Sequence, residues 1–315
     1  MYCHMDVFKS TLKYYQLVIC DLNEGAQMSD KVVITAGLTG ALTRKSHNPA
    51  VPYLPEEWAR EARRCEDAGA AVIAVHFRDY ATEMPTVDAT IMREVMDAIR
   101  SNCKCLINLS TGVGVGTPHI ERKQPVLQHR PEMASLNPGS INFCIVNWRT
   151  GEIQLDHTFL NPMNDSIDMG RIMREKRIKP EMECFSPTHV ETVLWLQKYH
   201  DLFEGPLHFG FVFGVAGAMQ LNIANLAACV SLIPHDATWS GIGIGPNCFK
   251  IGMAALSLGG HLRVGLEDNV LLRGGLSKGS WDQVEEAVRM AQLVGREAAT
   301  PEEARKIYSI RPADA

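Results

Sequence analysis

No run of 18 apolar residues occurs anywhere in the 315-residue chain. Its most apolar region, Phe209 to Ile233, is broken by Gly, Gln and Asn, so no transmembrane helix is expected. Basic clusters are missing as well. The 31 Lys and Arg are scattered among 36 Asp and Glu, and the formal net charge is −5. That balance argues against nucleic acid or an anionic membrane surface as the main partner. There is no C-x-x-C, and the nine cysteines are odd in number and irregularly spaced. A disulfide framework and a cysteine-based zinc site are both disfavoured; free thiols in a reducing compartment, the cytoplasm, are expected. Nor does the chain show an internal repeat or a change of composition midway. Residues 1–30 lack a basic segment followed by a long apolar one and make a poor signal peptide. Met28 precedes Ser-Asp-Lys-Val-Val-Ile-Thr, which reads as a domain start. Residues 1–30 are therefore expected to be an extension outside the fold, and residues 31–315 one catalytic domain.

What is present is an alternation of strand and helix. Val32 to Ala36, Ala71 to His76, Cys105 to Ser110, Glu132 to Leu136, Pro180 to Phe185, His208 to Phe213, Ala237 to Ile242 and His261 to Leu266 read as strands. Helical patterns lie in most of the gaps. Pro55 to Ala68 has Trp58, Ala62 and Cys65 on one face and Gly69 at its end. Val87 to Arg100 repeats Ile91, Val95 and Ile99. Trp281 to Val294 follows Ser280 as its expected N-cap, and Thr300-Pro-Glu-Glu303 has the form of a capping box. Eight strand–helix units of this kind predict an α/β fold, a single-domain (β/α)8 TIM barrel. An open doubly wound sheet is the competitor, but no boundary between two halves is visible.

In such a barrel the working groups gather at the C-terminal ends of the strands. Thr39, His76, Arg78, Asp79, Ser110, Thr111, Ser135, Asn137, Glu183, Arg263, Glu267 and Asp268 all fall there. Strand parity sharpens the set, because successive side chains alternate faces. On the second strand Ile73, Val75 and Phe77 suit the helix side, leaving Ala74, His76 and Arg78 inward. On the eighth, Leu262, Val264 and Leu266 suit the helix side, leaving Arg263, Gly265 and Glu267 inward. An inward His76 and an inward Glu267 form a candidate metal pair, although catalytic zinc usually has three protein ligands. A hydrogen-bonded core histidine is the equal alternative for His76. Gly112 to Gly116 and Gly241 to Gly245 are G-x-G-x-G turns, read either as phosphate-binding loops or simply as tight turns.

Several segments occur in an order that resembles the β-keto acid cleavage enzyme family. They are Ile34-Thr-Ala-Gly-Leu-Thr-Gly-Ala41, Val75-His-Phe-Arg-Asp79, Leu109-Ser-Thr-Gly112, Pro131-Glu-Met-Ala-Ser-Leu-Asn137 and Gly260-His-Leu-Arg-Val-Gly-Leu-Glu-Asp-Asn269. The resemblance runs from about Met28 to the C-terminus. It implies a zinc-binding TIM barrel, commonly a homotetramer, that converts a β-keto acid and acetyl-CoA into acetoacetate and a new acyl-CoA. It implies His76 and Glu267 as metal ligands, and Ser110, Ser135 and Asn137 as holders of the substrate carboxylate. It implies Arg263 and Asp268 as the polar pair that helps to generate the nucleophile from acetyl-CoA. A divalent ion would polarise the β-keto oxygen as a Lewis acid.

The chain departs from the family pattern at two positions. The family carries two inward histidines on the second strand, two residues apart; the first is Ala74 here. The site then keeps a metal with waters, recruits a histidine such as His119, or holds none. The family member that handles an aminated substrate has Glu where this chain has Leu42, and Leu42 cannot pair with an ammonium. A neutral or apolar β-keto acid is the expected substrate. Metal-free or altered C–C chemistry on a related acid, and a non-catalytic barrel that binds a small acid or CoA ester, stay open at this point.

Overall fold

Alternation along each strand decides which side chains enter the barrel and which meet the helices. The computed structural model describes residues 30–310. The expected extension thus lies outside the described residues, except for Asp30. From Lys31 onward the chain forms one compact unit. Its centre is a closed parallel barrel of eight strands: β1 (Ile34–Gly37), β2 (Val72–Val75), β3 (Leu106–Leu109), β4 (Met133–Leu136), β5 (Lys179–Cys184), β6 (His208–Phe213), β7 (Thr238–Gly243) and β8 (His261–Val264). Closure is through Leu262, Arg263 and Val264 opposite Ile34, Thr35 and Ala36. All eight expected strands are present, so the TIM barrel is the observed fold and the open sheet is not.

Helices surround the barrel: α1 (Pro55–Ala68), α2 (Ala89–Asn102), α3 (His119–Arg122), α4 (Gln124–Gln128), α5 (Met163–Glu175), α6 (Pro187–His200), α7 (Ile223–Leu232), α8 (Cys248–Ser257), α9 (Ser280–Leu293) and α10 (Pro301–Ile307). None of the described helices is long and apolar enough to cross a membrane. The outward strand residues, among them Ile73, Val75, Ile107, Leu109, Phe209, Phe211, Leu262 and Val264, join Trp58, Ala62, Val95 and Ile99 in one buried cluster. Each such side chain contributes about 1.5–3 kcal/mol by leaving water. The inward set is different. Tyr308, just past α10, plugs the N-terminal mouth against Val33, Val72, Leu106 and Met133. Above that layer the interior turns polar, with Asn108, Glu181, Ser240 and Arg263 all buried.

Two local expectations had different outcomes. Thr300 and Glu303 form the reciprocal capping box. Ser280, by contrast, is not the N-cap of α9. It is the first helical residue, after Gly279. Its hydroxyl accepts from the Leu266 amide at 3.1 Å and donates to the Gly37 carbonyl at 3.3 Å, linking β1 to the chain beyond β8. Glu61 of α1 takes over the capping, accepting from the amides of Ser280 at 2.6 Å and Trp281 at 3.4 Å. A carboxylate from another helix satisfies the free N–H groups of this one. No local signal marks such a cap, because its donor and acceptor are 219 residues apart.

A hairpin of Ile141–Val146 and Ile153–Phe159 follows β4; the sequence reading did not anticipate it. It stands outside the barrel sheet and reaches the barrel's open mouth.

Glu61→Ala strands two backbone N–H groups in a buried setting. It should lower stability by about 2 kcal/mol. The check is chemical denaturation, with a lower urea midpoint and an unchanged m-value.

Candidate active site

The C-terminal mouth of the barrel holds a cavity that brings together most of the expected polar residues. His76, Ser110, Asn137, Glu183, Arg263, Glu267 and Asp268 all line it, as does Leu42. Ser135 lies one layer lower, on the cavity floor with Ala74 and Asn108.

Arg263 is the centre of the arrangement. Its Nε donates to Asp268 Oδ2 at 2.7 Å and its Nη2 to Asp268 Oδ1 at 2.6 Å, a two-pronged pair. Nη2 also reaches Glu267 Oε1 at 3.2 Å, and Nη1 reaches Glu183 Oε1 at 3.1 Å. Burial pushes the Glu183 carboxyl up to about 7, against the downward pull of Arg263. Glu267 is affected in the opposite sense. Burial would raise it, but Arg263 and His76 together hold it down at about 2. Burial also raises Asp268 above its ordinary value, with Arg263 opposing. The pocket therefore combines a firmly ionised carboxylate with a neighbour that titrates near neutrality.

His76 follows β2. Its Nδ1 faces the Val113 carbonyl at 3.2 Å, and a carbonyl can only accept, so Nδ1 carries a proton. Nε2 is then directed at Glu267 Oε1, 3.4 Å away. The expected metal pair is thus brought together. Among the described residues no third His, Cys, Asp or Glu brings a ligand atom within 4.8 Å of both. Position 74 points inward with only a methyl group. His119 does not fill the gap: its Nε2 meets Asp168 Oδ2 at 3.0 Å on α5.

The hydroxyl and amide groups expected to hold a carboxylate are also in place. Both side-chain polar atoms of Asn137 are buried without a partner. Ser110 Oγ accepts from the Gly112 amide at 3.1 Å, which leaves its proton free to donate. Ser135 Oγ accepts from the Thr111 amide at 3.1 Å in the same way. Neutral donors of this kind suit a carboxylate bound without a cation of its own.

Other expected residues have structural roles. Arg78 turns from the cavity and braces the loop after β1, donating to the carbonyls of Gly40 at 2.9 Å, Thr43 at 2.7 Å and Glu83 at 2.6 Å. Asp79 closes its own turn onto Ala81 and Thr82. Gly241 and Gly243 allow close packing of a helix on its strand. A Cβ on Gly243 would lie 2.5 Å from Ile251 Cγ2, so glycine there admits α8 against β7.

The apolar wall escaped the sequence reading. Phe143, His157 and Phe159 of the hairpin line the cavity, and Phe143 and Phe159 join Phe185, Val212 and Ile244 in one apolar cluster there. The alternation of Leu155, His157 and Phe159 was the available signal for a strand. Its position over the barrel mouth had no local signal.

A family model described as beta-keto acid cleavage enzyme matches residues 31–310. A 3-keto-5-aminohexanoate cleavage enzyme of Fusobacterium nucleatum subsp. nucleatum is 40% identical over 286 residues, covering 90% of this chain and 100% of the relative. A 3-oxoadipate:acetyl-CoA acetyltransferase of Cupriavidus necator is 32% identical over 289 residues, covering 90% and 96%. The solved binary complex of ObcA with oxaloacetate shares the fold at a TM-score of 0.67 and 20% identity, over 84% of this chain and 68% of that one. The residues that gather at the barrel mouth are those through which the sequence resembled one family, and with these matches the chain belongs to it: it is a member of the β-keto acid cleavage enzyme family.

Proposed function

We propose that the chain exchanges acyl groups between a β-keto acid and acetyl-CoA, releasing acetoacetate and a new acyl-CoA. In outline, R–CO–CH2–COO⁻ and CH3–CO–SCoA give CH3–CO–CH2–COO⁻ and R–CO–SCoA. The observation that carries this reading is the Arg263 guanidinium, forked on Asp268 and flanked by Glu183 and Glu267 inside the cavity. A module that only binds a small acid has no need of such a set beside a free carboxylate cradle.

Ser110, Ser135 and Asn137 hold the substrate carboxylate in this reading, which directs the keto carbon toward Arg263. Four of the five guanidinium N–H groups are engaged, and one on Nη1 is left for a substrate oxygen that gains charge. Glu183, poised at about 7, can take up and return the proton whose removal generates the carbon nucleophile. Asp268 fixes the guanidinium plane.

A divalent metal, zinc, is the finer part of the reading. Bound, it would act as a Lewis acid on the keto oxygen. Here the donors number two, His76 and Glu267. Catalytic zinc takes three from the protein. The residues present do not fit that site, and the steps above involve none.

The cavity's apolar wall supports a neutral or apolar tail on the β-keto acid. Leu42 lines the same cavity as Phe143 and Phe159. A cytoplasmic homotetramer completes the proposal. The seven described cysteines are free, as a reducing compartment would leave them. Trp148, Ile153 and Leu160, exposed along and beside the hairpin, suit a face covered by another subunit.

Arg263→Lys keeps the charge but loses the fork. Turnover of β-keto acid with acetyl-CoA, followed as acetoacetate release, should fall by about 10²-fold or more. An unchanged rate would remove Arg263 from the chemistry. The native chain should prefer neutral-tailed β-keto acids to 3-keto-5-aminohexanoate in kcat/KM. Leu42→Glu should move that ratio toward the aminated acid by about tenfold, or ~1.4 kcal/mol. Efficient use of the aminated acid by the native chain would overturn the tail assignment.

A further inference from the structure

Residue 74 on β2 and residue 76 just past its end both line the floor of the cavity, and extended chain sets such neighbours about 7 Å apart along one face. A donor at each could converge on one ion. Ala74 provides none. Beneath His76 the floor instead contains a small cavity with room for a single water, bounded by Ala74, Asn108, Ser135, Glu183, Arg263 and Glu267.

Two buried oxygens in that boundary have no partner: Asn108 Oδ1 and Glu267 Oε2. The Glu267 oxygen lies over β1, where a Cβ on Gly37 would come within 3.0 Å of it. Gly37 is paired in register with Ala74. The orphaned oxygen is therefore on the side of the missing ligand. Both atoms are acceptors, so a hydrogen-bond donor or a cation would satisfy them, and the choice between the two rests on the neighbouring charges and the ligand count. The other oxygen, Oε1, is already held by Arg263 at 3.2 Å, and His76 Nε2 lies 3.4 Å from it. A dication between His76 and Glu267 would have to draw that carboxylate from a guanidinium and sit beside its positive charge.

We propose that position 74 sets metal affinity in this barrel. The native chain keeps a two-donor site, with Arg263 and a buried water satisfying Glu267, and it does not retain a divalent cation. A donor at position 74 completes the site. Partners that merely orient metal ligands are worth about 10–100-fold in affinity, so restoring a ligand itself should gain at least ~100-fold.

The test is zinc binding to the full-length protein by competition with a chromogenic chelator, and cobalt(II) binding by visible absorption. Neither readout depends on turnover, so the substrate assignment can fail without it. Outside the barrel, ligand atoms of Glu66, Cys103 and Cys105 lie within 4.8 Å of one another and could trap a soft cation. The measurement is therefore made in a Cys103→Ser, Cys105→Ser background.

In that background the parent chain should lose zinc on dialysis against chelator. Ala74→His should take up one zinc per chain at least ~100-fold more tightly, and a further His76→Ala should abolish the gain. If Ala74→His does not fold, Ala74→Cys is the smaller donor, with a thiolate-to-cobalt band as its signature. Zinc retained one per chain by the parent, and lost on His76→Ala, would overturn the proposal whatever the variants do. So would a folded Ala74→His or Ala74→Cys chain that binds no better than its parent.

Discussion

One guanidinium buried among three carboxyl groups is the constraint around which the upper barrel is organised. Taking Arg263 out of water is costly, and the cost is met only by close, well-shaped partners. Asp268 supplies the two-pronged pair, and Glu267 and Glu183 take the remaining directions. Three full negative charges around one positive charge would be unstable at this depth. The burial that holds Glu183 near 7 relieves the imbalance, because that carboxyl carries only part of its charge at neutral pH. The same burial thus sets both the protonation of Glu183 and the charge balance around Arg263. The network joins β5, β8 and the turn beyond β8 through side chains alone.

Below that level the interior uses a different economy. Glu181 is fully enclosed, with Asn108 Nδ2 at 2.5 Å and His208 Nε2 at 3.6 Å. Burial would raise its pKa, but His208, Arg263 and Asn108 together bring it below its ordinary value. Hydrogen bonds and charge replace the branched apolar layers that commonly fill such barrels. Polar rungs of this kind have a defined geometry, and they support the floor on which His76, Ser135 and Arg263 stand.

Much of this was legible in the sequence, and the reasons are local. A period of two separated Ile73 and Val75 from Ala74 and His76, and Leu262 and Val264 from Arg263, because one face of each strand meets helices. The same logic failed at Arg78. Parity set it inward, but the carbonyls of Gly40 and Thr43 after β1 and of Glu83 after β2 draw it away from the cavity. Ser280 looked like a cap, and a carboxylate from α1 did the work instead. Glu183 was visible at the end of β5, yet its partner Arg263 is 80 residues away. The hairpin was harder still. Its strands are half exposed, and their burial against the barrel mouth is tertiary. Local pattern reveals faces; it does not reveal which distant groups share a cavity.

The brace supplied by Arg78 has a consequence for how such a protein can change over time. The loop from Gly40 to Thr43 is held through main-chain oxygens, and Thr43 is tied by its hydroxyl to the Glu267 carbonyl at 3.2 Å. None of these bonds uses the side chain of residue 42. The wall can therefore exchange that one side chain while its scaffold keeps its shape. A change of residue 42 leaves each of those bonds in place, so one inherited replacement can reshape the cavity lining without rebuilding the loop that carries it.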